Sequence, residues 1–184
     1  LYLSILIKTI KVMQNTILSY NYASNAIKGY TNSAIAKSEK NDCFVRAVAS
    51  ATGSNYDTAH EFVKEKLGRE NGKGAQLVPI HMMALEDNGM ELNNQKYKVK
   101  VLGTDEITNH YKLHGEVIKR QKTVKSFIHA YPKGTFIVGV AGHAFTVKDG
   151  QLIDNAGEEF RPTRKVNMAF KITPELTSNQ LSLF

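Results

Sequence analysis

The sequence predicts a single α+β domain with its helices first and an antiparallel sheet second. Apolar residues recur at helical spacing between residues 43 and 88, then alternate at strand spacing from residue 97 onward. The second half is also punctuated by Asp149-Gly150, a strong hairpin dipeptide. Helical and strand-forming stretches that segregate along a chain in this way define the α+β class. A length of 184 residues suits one domain, which buries roughly 70% of its unfolded surface.

Composition narrows the field. The chain carries 24 Lys+Arg against 17 Asp+Glu, a formal charge of +7, with 42% hydrophobic residues, 13 Gly and 4 Pro. These are ordinary globular values, which exclude a collagen-like or wholly disordered chain. The single cysteine cannot form an internal disulfide, so a reducing cytoplasm is the simplest expected setting. No segment approaches the roughly 20 apolar residues of a membrane span, and no membrane contact is expected. The opening LYLSILI is followed, not preceded, by Lys8 and Lys11, the reverse of a secretory signal. Residues 1–12 carry no functional signal.

Residues 14–42 are polar, without a sustained helical period, and read as an irregular arm holding one short strand. In CFVRAVASATG the stripe Phe44, Val45, Val48, Ala49 and Ala51 predicts a helix that stops at Gly53. Asp42 is expected to cap it by accepting a first-turn N–H. A second helix opens at Asn55 or Asp57, turns Ala59, Phe62, Val63 and Leu67 inward, and ends near Gly68. A third, shorter helix in LVPIHMMALEDNG is expected to face inward through Leu77, Ile80, Met83 and Ala84 and to close at Asn88-Gly89.

YKVKVLG at 97–103 alternates apolar and basic residues like a half-buried strand. VKSFIHAYP at 124–132 is a helix capped by Thr123. TFIVGVAG, HAFTVKDGQLIDN and KVNMAFKI then supply the sheet. The domain is read as residues 38–172, with an arm at 1–37 and a tail at 173–184. Segments 68–78 and 103–123 are read as loops.

Cys43 occupies the first position of its predicted helix. Unpaired N–H groups and the positive end of the helix dipole favour a thiolate there. His143 begins a strand whose partner, across the Asp149-Gly150 turn, carries Asp154 and Asn155. A two-residue loop pairs Lys148 with Gln151 and sets His143 and Asp154 on one face as diagonal neighbours. A three-residue loop would place Asn155 opposite His143 instead. Either residue can orient the imidazole, and the simpler turn favours Asp154.

The helix-initial cysteine of NDCFVRAVA followed by the GHAFTV–DG–LIDN hairpin resembles the papain-like cysteine peptidase superfamily, and is most similar to small bacterial and phage members such as bacteriocin-processing peptidases. The resemblance covers residues 38–172. It implies a papain-like fold, N-terminal helices packed on a C-terminal antiparallel sheet, with Cys, His and Asp or Asn used in that chain order. Cys43, His143 and Asp154 follow that order. Such enzymes carry a glutamine upstream of the nucleophile to hold the oxyanion, whereas residues 33–42 contain none. Asn41 offers the same amide on a shorter arm and is the expected donor beside the Cys43 N–H.

Other features are weaker. His110 and His114 would share a helical face, but no cysteine or HExxH glutamate accompanies them. GRENGKG lacks the Lys-Ser/Thr pair of a phosphate loop. Residues 96–125 hold eight Lys/Arg against Asp105, Glu106 and Glu116, a local excess of +5. Lys96, Lys98 and Lys100 share one strand face and are the expected contact for an acidic partner, with nucleic acid the less favoured ligand.

The reading is thus a thiol-dependent hydrolase of the cytoplasm of a bacterial cell, or of a host or virion for a phage-encoded chain. A peptide or isopeptide is the expected substrate, and no cofactor or metal is implied. Its rivals are a cell-wall amidase or acyltransferase, an inactive papain-like binding protein, and a basic nucleic-acid-binding protein.

Overall fold

The computed structural model describes residues 19–155 and 161–176. Expectations for residues 1–12 and for the last eight residues lie outside them. An N-terminal segment carries strand β1 (Tyr20–Tyr22), helix α1 (Ala23–Ala26), a 3-10 turn (Tyr30–Asn32) and helix α2 (Ala34–Ser38). Helices α3 (Cys43–Thr52), α4 (Tyr56–Leu67) and α5 (Pro79–Asn88) follow. Then come strands β2 (Met90–Leu92), β3 (Gln95–Val101), β4 (Thr108–Leu113) and β5 (Glu116–Gln121), and helix α6 (Val124–Ala130). Strands β6 (Thr135–Val140), β7 (His143–Lys148), β8 (Gln151–Asp154) and β9 (Val166–Pro174) complete the chain.

Seven strands form one sheet in the order β1-β8-β7-β6-β9-β3-β2, antiparallel except for the parallel β1–β8 pair. Strands β4 and β5 form a separate two-stranded ribbon. The class is α+β. Because successive strand residues face opposite ways, the sheet feeds two cores. Ile137, Ala144, Phe170 and Ile172 join α3 and α4 on one face, while Phe136, Val138, Phe145 and Val147 join Val124, Phe127 and Ile128 of α6 on the other.

Helix α3 is the most deeply placed, with Val45, Val48 and Ala49 fully buried against β7. A polar bolt fixes its register. Thr146 Oγ1 on β7 donates to the Ala47 carbonyl at 2.8 Å and lies 2.7 Å from Ser50 Oγ. The predicted stops and caps form: Gly53 and Gly68 adopt left-handed φ, Asn55 accepts from Thr58 N at 2.8 Å, and Thr123 accepts from Ser126 N at 3.1 Å. At Gly89 (φ 68°) a Cβ would sit 2.4 Å from the Tyr97 carbonyl, so only glycine joins α5 to β2.

Four expectations are corrected. Asp42 stands at the N-cap of α3, but its side chain caps nothing: the carboxylate accepts from Tyr56 Oη at 2.8 Å and pairs with Arg46. Helix α5 docks through Leu85, leaving Ile80 and Met83 exposed, because apolar residues on all sides of this short helix give no preferred face. Segment 103–123 is not a loop but contains the β4–β5 ribbon, so His110 and His114 sit on a strand and its turn. Strand β9 runs to Pro174, two residues past the expected end of the domain, because its pairing with β3 continues to Tyr97↔Pro174.

The segment before α3 holds the expected short strand, docked on the edge of the main sheet, and Ala23 and Ile27 enter the core. No helix among the described residues is long and apolar enough to cross a membrane.

Candidate active site

The chain reaches Cys43 through a clamped lead-in. Glu39 Oε2 accepts from Arg69 Nη2 at 2.6 Å and from the Gly72 N–H at 2.8 Å, while Oε1 lies 2.9 Å from His60 Nε2. Burial works against the Glu39 charge, but these donors outweigh it and hold the carboxyl down at about 2. The loop 69–72 is thereby tied to the segment that delivers Cys43.

Asn41 belongs to this tie rather than to the nucleophile. Its Nδ2 donates to the Gly72 carbonyl at 3.2 Å, and its φ of 56° makes the left-handed turn into the helix. The role expected of it, oxyanion donor beside the thiol, is not the contact its amide makes. The physical reason is reach: the short Asn arm meets the nearby loop carbonyl.

Cys43 is the first residue of α3 and is partly buried. The unused Asp42 cap leaves the first-turn N–H groups free of any side-chain acceptor from that position. The β6–β7 and β7–β8 hairpins carry the other groups. Val140↔His143 pairing encloses a two-residue Ala141-Gly142 turn, and the Arg164 guanidinium donates to the Ala141 carbonyl. On the other side, Lys148↔Gln151 pairing encloses Asp149-Gly150, both with positive φ, which gives the two-residue register.

That register brings His143 and Asp154 together. Nε2 of His143 lies 2.6 Å from Oδ2 of Asp154, a carboxylate almost fully buried, whose Oδ1 accepts the Asn155 N–H at 2.7 Å. Asn155, the alternative partner, turns away: its Oδ1 accepts from Ser24 N at 3.3 Å and its Nδ2 donates to Tyr30 Oη at 3.1 Å. His143 and the Ala144 N–H also bear on Cys43, and both act to lower its thiol.

The electrostatics follow from these contacts. Burial pushes the Cys43 thiol up, but the His143 hydrogen bond, the Ala144 N–H and the charges of His143 and Arg46 bring it below its ordinary value. The Asp154 hydrogen bond, followed by that of Cys43, raises His143 to about 9 against the cost of burial. Both shifts run in the direction of a thiolate–imidazolium pair, the thiol below its ordinary value and the ring above its own. Among the described residues, no group of three or more His, Cys, Asp or Glu is gathered for a metal.

Comparison with protein-family models, curated proteins and solved structures returned no match.

Several contributors are invisible in the sequence. The Ala144 N–H is the exception, since any strand residue after His143 presents a backbone donor. Glu39, His60 and Arg69 meet from separated segments, and no local pattern announces them. Lys96, Lys98 and Lys100 lie on one exposed face of β3, three strands from β7 in the sheet order, with Lys100 paired to Glu106 at 2.7 Å.

Proposed function

We propose that the chain is a papain-like, thiol-dependent hydrolase of peptide or isopeptide bonds. One observation carries the reading: a cysteine at a helix start has its thiol drawn down by a histidine whose Nε2 is held by a buried carboxylate.

The chemistry runs in two halves. The Cys43 thiolate attacks the substrate carbonyl carbon, and the electron pair moves to oxygen, beside the Cys43 N–H at the helix start. His143 gives its proton to the departing amine as the C–N bond breaks, leaving a thioester. Neutral His143 then takes a proton from water, hydroxide adds to the thioester, and collapse releases the acid and restores the thiolate and imidazolium. Asp154 holds the ring in place and stabilises its charge throughout. An acyltransferase or amidase would use the same thioester with another acceptor or substrate.

A second reading, a papain-like scaffold kept for binding, is favoured by one contact. The amide of Asn41 is held by Gly72, which leaves the Cys43 N–H without that partner at the oxyanion. A single experiment separates the two. With p-nitrophenyl acetate, the hydrolase should release a burst of nitrophenolate, carry an acetyl mass on Cys43, and lose it to water. An acetyl adduct that forms at the rate of a free thiol and never turns over would overturn the hydrolase.

A further inference from the structure

The N-terminal segment touches both ends of the candidate site. At the acid end, β1 lies parallel to β8 with Tyr22 paired to Asp154, and Tyr20 Oη donates to the Asp154 carbonyl at 2.9 Å. Asn155, whose N–H fixes Asp154 Oδ1, has its amide held by this segment on both atoms, by Ser24 N and Tyr30 Oη. At the thiol end, the Tyr30 ring meets Tyr56 edge-on, with centroids 5.2 Å apart at 65°. Tyr56, fully buried, donates its hydroxyl to Asp42, the residue before Cys43.

We infer that residues 20–30 act as a clasp that positions Asp154 and Cys43 relative to each other, with Tyr30 as the linking residue. This rests on the thiolate–imidazolium reading of the site. Ala23 and Ile27, 1% and 3% exposed, anchor the clasp in the same core as α3, so its polar contacts start from a fixed base. A strand that merely covers a sheet edge needs none of the side-chain links that run from Asn155 to Tyr30 and from Tyr56 to Asp42. Two hydrogen bonds joined by an edge-on ring contact hold geometry because each polar group has its partner and the rings between them are packed.

The expected signature is in reactivity. The charged groups bearing on the pair are Asp154 from β8 and Arg46 from α3. Loosening Asn155 lets the Asp154 carboxylate drift and weakens its hold on the imidazolium. Tyr30→Phe keeps the ring packing and removes only the oxygen that accepts from Asn155; Tyr20→Phe removes the hydroxyl that donates to the Asp154 carbonyl and serves as an independent second variant.

The test measures Cys43 alkylation by iodoacetamide across pH in the full chain, with glutathione as the free-thiol reference and thermal melting run in parallel. Wild type should outpace glutathione at pH 6. Each Phe variant should melt within a few degrees of wild type yet alkylate about five-fold more slowly at pH 6, the worth of one neutral hydrogen bond, with the rise of its rate moved to higher pH. Variants that keep the wild-type rate and profile would overturn the clasp alone. A wild type no faster than glutathione would instead remove the thiolate reading beneath it.

Discussion

His143 Nε2 and Asp154 Oδ2 stand 2.6 Å apart across a hairpin closed by only Asp149 and Gly150. The short turn fixes strand parity, and parity fixes which of Asp154 and Asn155 meets the ring. Replacing Asp154 by Ala should therefore cut turnover about 100-fold or more, the usual worth of an oriented general acid–base group. Asn155→Ala should cost only a few-fold, through the N-terminal contacts it makes. Steady-state kinetics on a reporter ester checks this, and equal losses would contradict the observed register.

The pH dependence of turnover follows from the same pair. The acid limb tracks protonation of Cys43, whose thiol is held below its ordinary value, and the alkaline limb tracks loss of the imidazolium proton at about 9. The profile should be a bell. In Asp154→Asn the alkaline limb should fall toward the ordinary histidine value. A limb that stays put would detach Asp154 from the titration of His143.

Stability should respond to pH through two other signs. Glu39 is held at about 2, below its ordinary 4.5, so its contribution is present above 4.5 and lost as pH falls toward 2. His143 is raised from 6.5 to about 9, so its contribution is present below 6.5 and lost as pH rises through 9. Urea midpoints measured across pH should show a plateau between these windows. Glu39→Gln should flatten the acid side and cost about 3 kcal/mol, because it strips a buried Arg69 of its counter-charge.

The lysine face gives a separable test. Strand β3 lies three strands from β7, roughly 14 Å at ordinary strand spacing. Changing Lys96, Lys98 and Lys100 together to Gln should leave Cys43 alkylation within about two-fold of wild type at moderate salt, where exposed charges at that range are screened. If an acidic partner binds there, the triple variant should weaken it most at low salt. Slow alkylation in the variant would tie these lysines to the field of the site.

The hairpin was legible because its turn chemistry and its period of two agree, so Asp149-Gly150 led directly to His143 and Asp154. Helix α3 was legible for the same reason: its stripe, its Gly53 stop and its Cys43 start all point to one segment. The β4–β5 ribbon was not. Both its faces meet solvent, Tyr111 opposite Ile118 and Lys112 opposite Val117, so no apolar alternation marks it. Only the positive φ of His114 and Gly115 betrays a turn, and sequence does not print φ. Asn41 and Asn155 find partners 31 and 125 positions away, beyond any local pattern.

The order of the strands also bears on when the thiol becomes reactive. Cys43 is synthesised early, whereas His143, Asp154 and the β9 strand that flanks β6 come roughly a hundred residues later. Contacts so distant in sequence form late, after the cost of closing a long loop. A chain that has only its helices lacks the His143 ring and the Ala144 N–H, which do most to lower the thiol. The lowered thiol of Cys43 thus belongs to the completed sheet rather than to the helices alone.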